Sequence, residues 1–369
     1  MSEIRLFDEG DLPAVAGLFQ RRLRKQKAPA SPSLQAYLKT IFLDRREADD
    51  PIASKVHVRA DGRVSGFLGV LPMPMEFNGE PLRAAVCGTF MVDGHDDDPF
   101  AGARLLRDVL SGPQDLSFSE TSNDISTGMW RKMRAIAPPS YCLEWLRVLR
   151  PAAFGLEMAA GRLGALRVLR PLAISVDALS GRRGEGQSWS RYRPTADKAD
   201  GFSDTDASEA EFIALVPELL APFELRPRWS SVQLEEMLVH SRRKALHGER
   251  VLRIVRARTG KAVGAFLYYG DRGRVGRVVQ IMALPGLEGI VIDRLLKNAY
   301  ERDMAALRGR VQPALLDAML GRKFAFVHAS STVLHSRRPE LLKTVAAGHG
   351  FFNGLAGEGW TRLIGDRFD

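Results

Sequence analysis

The sequence has few cysteines and no long apolar run. Only Cys87 and Cys142 occur among 369 residues, too few to predict a disulfide framework, and the apolar pattern around Cys87 is typical of a small core residue. No apolar stretch approaches the roughly 18–20 residues that cross a bilayer. The opening MSEIRLFDEGD is acidic where a secretion signal would be basic and then apolar, so we expect a cytoplasmic protein.

Histidine patterns typical of metal sites are missing as well. The chain has seven histidines. His240 and His247 are seven residues apart, a spacing that does not place two ligands on one helix face as an i, i+4 pair would. The sequence therefore predicts no metal site.

Acidic residues are outnumbered by basic ones. There are 53 Lys and Arg against 44 Asp and Glu, a formal net charge of +9. Such a surplus suits an anionic ligand, for example a nucleotide cofactor, a nucleic acid or an acidic lipid, and it does not choose among them. The length exceeds that of one ordinary core and favours two domains.

The first third of the chain shows an ordered series of short elements. IRLFDEGDLPAVAGLF predicts a strand and a helix, and a second helix follows. Asp61-Gly62 and Asn78-Gly79 each separate two extended runs, which indicates hairpins. With a helix from about Ala101, a strand ending at Glu120 and a last helix, the predicted order is β-α-α-β-β-β-α-β-α.

Residues 86–106 combine a strand, an acidic turn and the start of a helix. The unpaired N–H groups and the positive dipole end of such a helix form a site for an anion. The small residues Ala101, Gly102 and Ala103 let a ligand approach the first turn. The junction is therefore a candidate diphosphate site. An ordinary tight turn is the alternative, because a single glycine lacks the spacing of a nucleotide-binding fingerprint.

This order of elements resembles the GCN5-related N-acetyltransferase (GNAT) superfamily over residues 3–140. Residues 97–106 stand at the family's phosphate-binding loop and the Leu pair that follows it. Asn123 stands just after the fifth strand, where the family often has Asn. Asp97 and Phe100 depart from the pattern, since Arg or Gln and a first Gly are usual at those positions.

The resemblance implies an acyl-CoA, usually acetyl-CoA, as co-substrate. Its diphosphate would bind the N–H groups of the first helical turn, with the Arg104 guanidinium beside it. Its pantetheine arm would pair like an added strand with the end of the fourth strand, where the fourth and fifth strands would splay apart. The predicted cofactor-binding residues are Phe90, Met91, Val92, Ala101, Gly102, Ala103, Arg104 and Asn123.

Direct attack by an amine on a thioester requires a base, because the amine must be neutral. Glu120 is the first candidate for that catalytic role and Asp124 the second, with an exposed strand-end carboxylate as the alternative for Glu120. Tyr141 is the candidate proton donor for the leaving thiolate, with a core or rim tyrosine as the alternative. Trp130 occupies the place where the family often has that tyrosine.

The rest of the chain predicts a connector and a second copy of the architecture. Residues 141–173 favour one or two helices and residues 180–207 a polar linker, after which the order of elements returns and ends in a strand-like WTRLIG. We predict an α+β fold with two acetyltransferase-like domains, each a mixed, mostly antiparallel sheet flanked by helices. Their bounds are 1–140 for an acyl-CoA-binding domain, 141–207 for the helical connector and linker, and 208–369 for a degenerate domain that shapes a substrate cleft or a homodimer surface.

The function implied by the resemblance is acyl transfer from acyl-CoA, most simply acetyl-CoA, to a primary amine of a small molecule or a lysine-like group. No DNA partner is expected. Two alternatives stay open. One is a Fem-type aminoacyl-tRNA-dependent transferase, a family that also pairs such domains; the other is a non-catalytic protein that binds CoA or a partner on the same fold. The substituted loop and Trp130 favour the non-catalytic alternative.

Overall fold

The computed structural model of the chain describes residues 2–45, 51–94, 97–161, 172–177, 192, 194 and 201–368. Part of the predicted connector helices, residues 162–171, lies outside the described residues. Most of the predicted polar linker does so as well. The described elements form two sheets with helices on their faces.

Short strands and helices alternate along both halves of the chain. The first half contains β1 (Glu3–Leu6), α1 (Leu12–Leu18), α2 (Pro32–Phe42), β2 (Lys55–Val58), β3 (Val64–Phe77), β4 (Glu80–Val92), α3 (Ala101–Leu110), β5 (Leu116–Ser122), α4 (Asp124–Lys132), β6 (Leu143–Val148) and α5 (Pro151–Ala160). The second half contains β7 (Phe202–Asp206), α6 (Glu209–Leu220), β8 (Leu225–Pro227), α7 (Ser231–Arg242), β9 (Glu249–Ala257), β10 (Ala262–Gly270), β11 (Val275–Ala283), α8 (Glu288–Glu301), β12 (Ala306–Arg310), α9 (Pro313–Met319), β13 (Ala325–His328), β14 (Ser331–Ser336) and α10 (Pro339–Ala346). Of the helices described here, none has the length and apolar character that crossing a membrane requires.

Glycine-containing turns build the first meander. Asn78 and Gly79 both have positive φ, 50° and 88°, which is the two-residue turn that suits the right-handed twist of a hairpin. The turn joins β3 to β4 in a long antiparallel pair that reaches Val92. Gly62, with φ 81°, lies in the turn between β2 and β3. Both hairpin predictions are confirmed.

The two sheets repeat one topology. The first has the strand order β1-β2-β3-β4-β5-β14, with β8 beside β3, and the second β13-β6-β12-β11-β10-β9-β7. In each, a four-stranded antiparallel meander leads through a helix to a parallel neighbour: α3 connects β4 to β5, and α8 connects β11 to β12. The other described pairs are antiparallel. The predicted α+β fold of two mixed, mostly antiparallel sheets is confirmed.

The first half of the chain gives β6 to the second sheet, and the second half gives β8 and β14 to the first sheet. β6 pairs antiparallel with β12, β8 with β3 and β14 with β5. The helix predicted for residues 143–148 is therefore wrong. Trp145 and Arg147 are buried while their neighbours are only half-buried, which is the alternation of a strand. The predicted helix begins later, at Pro151.

One hydrophobic core is shared by both sheets. It contains Phe118 of β5, Leu267 of β10 and Phe352, which follows α10. The rings of Phe118 and Phe352 meet edge to face with centroids 4.8 Å apart. A second cluster on the outer face of the first sheet joins Leu105 of α3 to Trp130 of α4. The shared core holds the sheets together and encloses the residues that follow α10.

Candidate functional site

β4 and β5 separate in the middle of the first sheet. Their parallel ladder ends at Val86 and Phe118, although β4 continues to Val92 and β5 to Ser122. Beyond that point the edge of β4 that faces β5 is no longer hydrogen-bonded to it. An extended chain with amide groups can pair with such an edge. We call the space between these two strand ends the first gap.

A β-bulge lies in β4 beside the first gap. The register against β3 shifts between Gly88 and Met91, so β4 carries one extra residue there. Thr89, within this bulge, has φ 52°, a left-handed conformation that is strained for a β-branched residue. The bulge takes the backbone of Thr89 and Phe90 out of the regular β3 ladder.

The predicted pantetheine strand follows this bulge. Met91 is buried in the shared core, while Phe90 and Val92 are half-buried and face α3. A Cβ on Gly102 would lie 3.4 Å from Val92 Cγ2 and 3.6 Å from both Phe90 Cζ and Met129 Sδ. Gly102 is thus packed against β4 and α4, so close packing explains its small size. Only its backbone N–H remains available at the first turn of α3.

The loop between β4 and α3, residues 93–100, is acidic, and we call it the acidic loop. Its described carboxylates all pair with basic side chains: Asp93 with Arg21 and Arg22, Asp97 with Arg59, and Asp98 with Arg104 and His57. Arg104 also lies 3.1 Å from His57 Nε2. Burial lowers the pKa of His57, so the His57 ring is mainly neutral beside these guanidinium groups at neutral pH. Four arginines therefore pair with the acidic loop.

Two large apolar side chains stand exposed where α3 and α4 begin. Phe100, just before α3, is 70% exposed, and Ile125, in the first turn of α4, is 78% exposed. Ala101 is buried and its N–H donates to Asp98 O at 3.2 Å, while Ala103 is half-buried.

Asn123 and Trp130 have clear structural roles on α4. Asn123 Oδ1 accepts a hydrogen bond from Ser126 N at 2.9 Å and so caps the helix. Trp130, which replaces the usual tyrosine of the family pattern, is buried in the cluster between α3 and α4. The indole therefore supports the helix pair that flanks the first gap.

Glu120 lies in β5 and is only 3% exposed, so the alternative of an exposed strand-end carboxylate is wrong. Its two oxygens accept hydrogen bonds from Gly354 N and Glu358 N, both at 3.0 Å. Arg310 Nε lies 3.9 Å from the same carboxylate. Asp124, the second candidate base, is exposed in the first turn of α4. Glu120 thus anchors the end of the chain to β5.

The residues from Asn353 to Asp366 form a series of turns between the two sheets, and we call them the C-terminal segment. The strand predicted for WTRLIG is therefore wrong. Leu355 N donates to Gln280 Oε1 of β11 at 3.0 Å, and Lys244 Nζ donates to Gly359 O at 2.7 Å. Burial lowers the pKa of Lys244 to about 7. The segment is bound to both sheets by buried polar side chains.

Glu358, on this segment, is the carboxylate that sequence analysis missed. It is 3% exposed, and its Oε2 accepts a hydrogen bond from Thr121 Oγ1 at 2.8 Å. A Cβ on Gly88 would overlap Glu358 Oε1, so the carboxylate rests against β4 at the inner end of the first gap. Burial, aided by the charge of Glu120, raises the pKa of Glu358 to about 7. The sequence feature that could have indicated this residue is a single acidic side chain in the glycine-rich, apolar stretch FFNGLAGEGW.

Tyr141 lies in the shared core, which agrees with the alternative of a core or rim tyrosine given in the sequence analysis. Its hydroxyl donates to Gly350 O at 2.7 Å, and burial raises the pKa of the phenol well above its usual value. Arg310 and Thr332 both donate to Tyr141 O. Tyr141 therefore ties the start of β6 to β12, β14 and the residues after α10.

Comparisons with known proteins identify the fold. A GCN5-related N-acetyltransferase from Anabaena variabilis ATCC 29413 is 10% identical, with a TM-score of 0.60 over 92% of this chain and 74% of that chain. A GCN5-related N-acetyltransferase from Kribbella flavida is 11% identical, with a TM-score of 0.51 over 91% of this chain and 71% of that chain. The sequence matches no protein-family model and no curated protein. The chain has the GCN5-related N-acetyltransferase fold, built as two sheets that each include strands from the other half of the chain.

Proposed function

We propose that the chain is an acyl-CoA-dependent N-acyltransferase whose donor binds in the first gap. The observation that carries the proposal is a single arrangement: β4 leaves β5 beside a strained bulge, and the buried Glu358 carboxylate lies at the inner end of the opening. Thioester aminolysis needs three things from the protein here: a strand edge that binds the amide-bearing arm of the donor, an oxyanion donor and a base.

The donor would bind along the outer part of the first gap. Its pantetheine amides would pair with the edge of β4 at Phe90–Val92. Its diphosphate would meet the N–H groups at Ala101–Ala103, where Ala101 N would exchange Asp98 O for a phosphate oxygen, with Arg104 and Asn123 close by. The four arginines that pair with the acidic loop supply positive charge. Because these arginines pair with the acidic loop, donor binding would exchange loop carboxylates for phosphate oxygens.

The reaction forms a C–N bond at the acyl carbonyl and breaks the C–S bond. The amine gives one proton to a base, and the thiolate leaves with the electron pair of the C–S bond. A carboxyl group with a pKa of about 7 suits this step, because it is partly ionised near neutral pH and basic enough to accept the proton. The N–H of Phe90, beside the bulge, would polarise the thioester carbonyl and contribute about 3–4 kcal/mol.

Within this proposal Glu358 is the base and Glu120 is the residue that positions it. Glu120 holds Glu358 N and Gly354 N, and these bonds fix the turn that carries the Glu358 side chain. The sequence prediction of Glu120 as the base is the competing assignment. Tyr141 is not kept as the proton donor, because its hydroxyl is buried in the shared core and donates to Gly350 O. The leaving group needs no such donor, since a thiol of pKa about 8.5 leaves readily as a thiolate.

An acceptor would approach Glu358 along the face of β4 that Ala84, Val86 and Gly88 share. Two adjoining pockets, of about 170 and 20 Å³, share Met73 and Gln233 in their walls, and the inner pocket reaches Val86 and Gly357. Gly357 directly precedes Glu358, so this path leads toward the proposed base. Its walls are mainly apolar, which favours an amine on an apolar chain, from a small molecule or a lysine-like group.

Titration with acetyl-CoA tests the proposal. At a roughly hundredfold excess over its Kd, acetyl-CoA should stabilise the folded chain by about 2.7 kcal/mol, measured as a rise in Tm. Ala103→Glu places a carboxylate at the predicted diphosphate site and should abolish this rise, while the matched Ala103→Gln should keep most of it. Thiol release across a panel of amines then measures transfer itself.

Each outcome separates the candidate functions. Stabilisation by acetyl-CoA without thiol release from any amine favours the non-catalytic CoA-binding alternative. Stabilisation by aminoacyl-tRNA alone, lost at moderate salt, favours the Fem-type alternative, because such binding depends on phosphate contacts. Equal responses of Ala103→Glu and Ala103→Gln contradict the placement of the diphosphate.

A further inference from the structure

The second sheet contains an opening equivalent to the first gap. The parallel ladder of β11 and β12 ends at Arg277 and Arg308, while β11 continues to Ala283. β11 also has a bulge, since its register against β10 shifts between Val278 and Gln280. We call the space between these strand ends the second gap. It repeats the backbone features of the first gap on the other sheet.

A cavity of about 410 Å³ opens beside the second gap. Its walls come from the end of β11 at residues 281–283, the start of α9 at residues 312–315, the turn before β8 and the residues after α10. Most of the lining side chains are apolar, Phe351 and Leu315 among them. The volume lies in the range of small-molecule sites, about 300–1,000 Å³.

The charges of this cavity exclude an anion. Glu224 and Glu288 line it, and the described lining residues include neither Lys nor Arg. Glu288 Oε1 accepts a hydrogen bond from Gly286 N at 3.1 Å, so a carboxylate of the chain already stands where α8 begins. A phosphate at this helix start would meet that carboxylate. Of the lining residues, only His349 can be cationic, and its Nδ1 lies 2.8 Å from Glu224 Oε1.

A polar side chain is also present in the wall. Gln312 is 6% exposed and lines the cavity, and its Nε2 donates to Phe352 O at 3.3 Å. An amide oxygen such as that of Gln312 can accept a hydrogen bond from a ligand N–H.

We propose that this cavity binds an organic cation, namely a primary or secondary amine on an apolar body of small-molecule size. The ammonium group would face the Glu224 and Glu288 carboxylates, and the apolar body would lie against Phe351 and Leu315. The site is separate from the first gap and does not depend on the proposed acyl transfer.

Three matched probes test the charge preference. Phenethylamine, 2-phenylethanol and phenylacetate have the same ring and differ in charge. We expect backbone amide NMR shifts at Ala314 and Leu315 that saturate with phenethylamine, respond weakly to the alcohol and are unaffected by phenylacetate. Equal responses to the amine and the acid would overturn the proposal.

Two variants locate the site. Glu288→Gln keeps an oxygen for Gly286 N and removes the charge, and should weaken phenethylamine binding about fivefold. Its control, Glu301→Gln, lies at the far end of the same helix and should change nothing. Ala314→Trp places an indole at the mouth of the cavity, from an exposed position that tolerates it, and should abolish binding. Unchanged affinity in Ala314→Trp, with Tm intact, would place the probe elsewhere and refute the site.

Discussion

The first and second gaps share one backbone architecture and have opposite surroundings. Each opens where a short parallel ladder ends beside a bulged strand. Arginines gather near the first gap, whereas Glu224 and Glu288 line the cavity at the second. A repeated sheet therefore supplies two similar openings, and the side chains around each decide the charge of the ligand that it accepts.

The two gaps also differ in how closely the C-terminal segment fills them. Glu358 lies against Gly88 at the inner end of the first gap, while the second keeps a cavity of about 410 Å³. The segment is bonded to Glu120 on one sheet and to Gln280 on the other. One stretch of chain thus brings a buried carboxylate to one gap and closes the inner side of the other.

The largest expected effect is on turnover in Glu358→Gln. Removal of a general base should lower turnover about 10²- to 10⁴-fold, with acetyl-CoA affinity unchanged, because the Gln side chain fills the same space. The base must be ionised to accept a proton, and the pKa of Glu358 is raised to about 7. In the unmodified chain, kcat/KM should therefore rise with pH up to about 7 and level off above it.

The same pH profile in Glu120→Gln provides the contrast. If Glu120 only positions the C-terminal segment, this variant loses less activity and keeps a rise with pH. The rise should move to a lower pH, because the charge of Glu120 no longer helps to raise the pKa of Glu358. Loss of that rise in Glu120→Gln, together with its survival in Glu358→Gln, would instead make Glu120 the base. The measurement is initial thiol release at fixed ionic strength between about pH 5 and pH 9.

An intermediate effect is expected on stability in Gly354→Ala. Gly354 has φ 65°, and a Cβ there would overlap Val279 O in the bulge of β11. We expect a loss of about 3 kcal/mol in the free energy of unfolding. Gly260→Ala is the control, since φ is 86° but nothing lies within 4 Å of the added Cβ, and it should cost about 1 kcal/mol.

Urea unfolding at one pH measures both glycine variants. A similar loss in the two would mean that backbone strain alone acts at Gly354 and that its contact with the second sheet contributes little. That result would contradict the inference that the contact of Gly354 with β11 holds the C-terminal segment against the second gap.

The smallest effect is expected at Asn123, which begins α4 beside the first gap. Asn123→Ala should cost about 1 kcal/mol, because it removes the bond from Ser126 N. Asn123→Asp keeps the cap and adds a negative charge next to the proposed donor. It should leave Tm nearly unchanged and weaken acetyl-CoA binding about threefold. Equal acetyl-CoA affinity in all three forms would remove Asn123 from the proposed site.

Local patterns predicted much of the fold, including the strand–helix junction beside the first gap. The Asn78-Gly79 turn, the junction of β4 and α3 and the repeated order of elements depend on contacts close in sequence. The strand β6 could not be predicted in this way. LEWLRVLR matches both a helix and an alternating strand, and only pairing with β12 chooses between them.

The sequence by itself determined the α+β class, the two-copy architecture and the opening beside β4, because turn chemistry and hydrophobic spacing act over a few residues. Only the tertiary structure decided the strand exchange and the position of Glu358. The bond from Glu358 N to Glu120 joins residues 238 positions apart, and burial that raises the Glu358 pKa exists only once both sheets enclose it. No local pattern encodes such a contact.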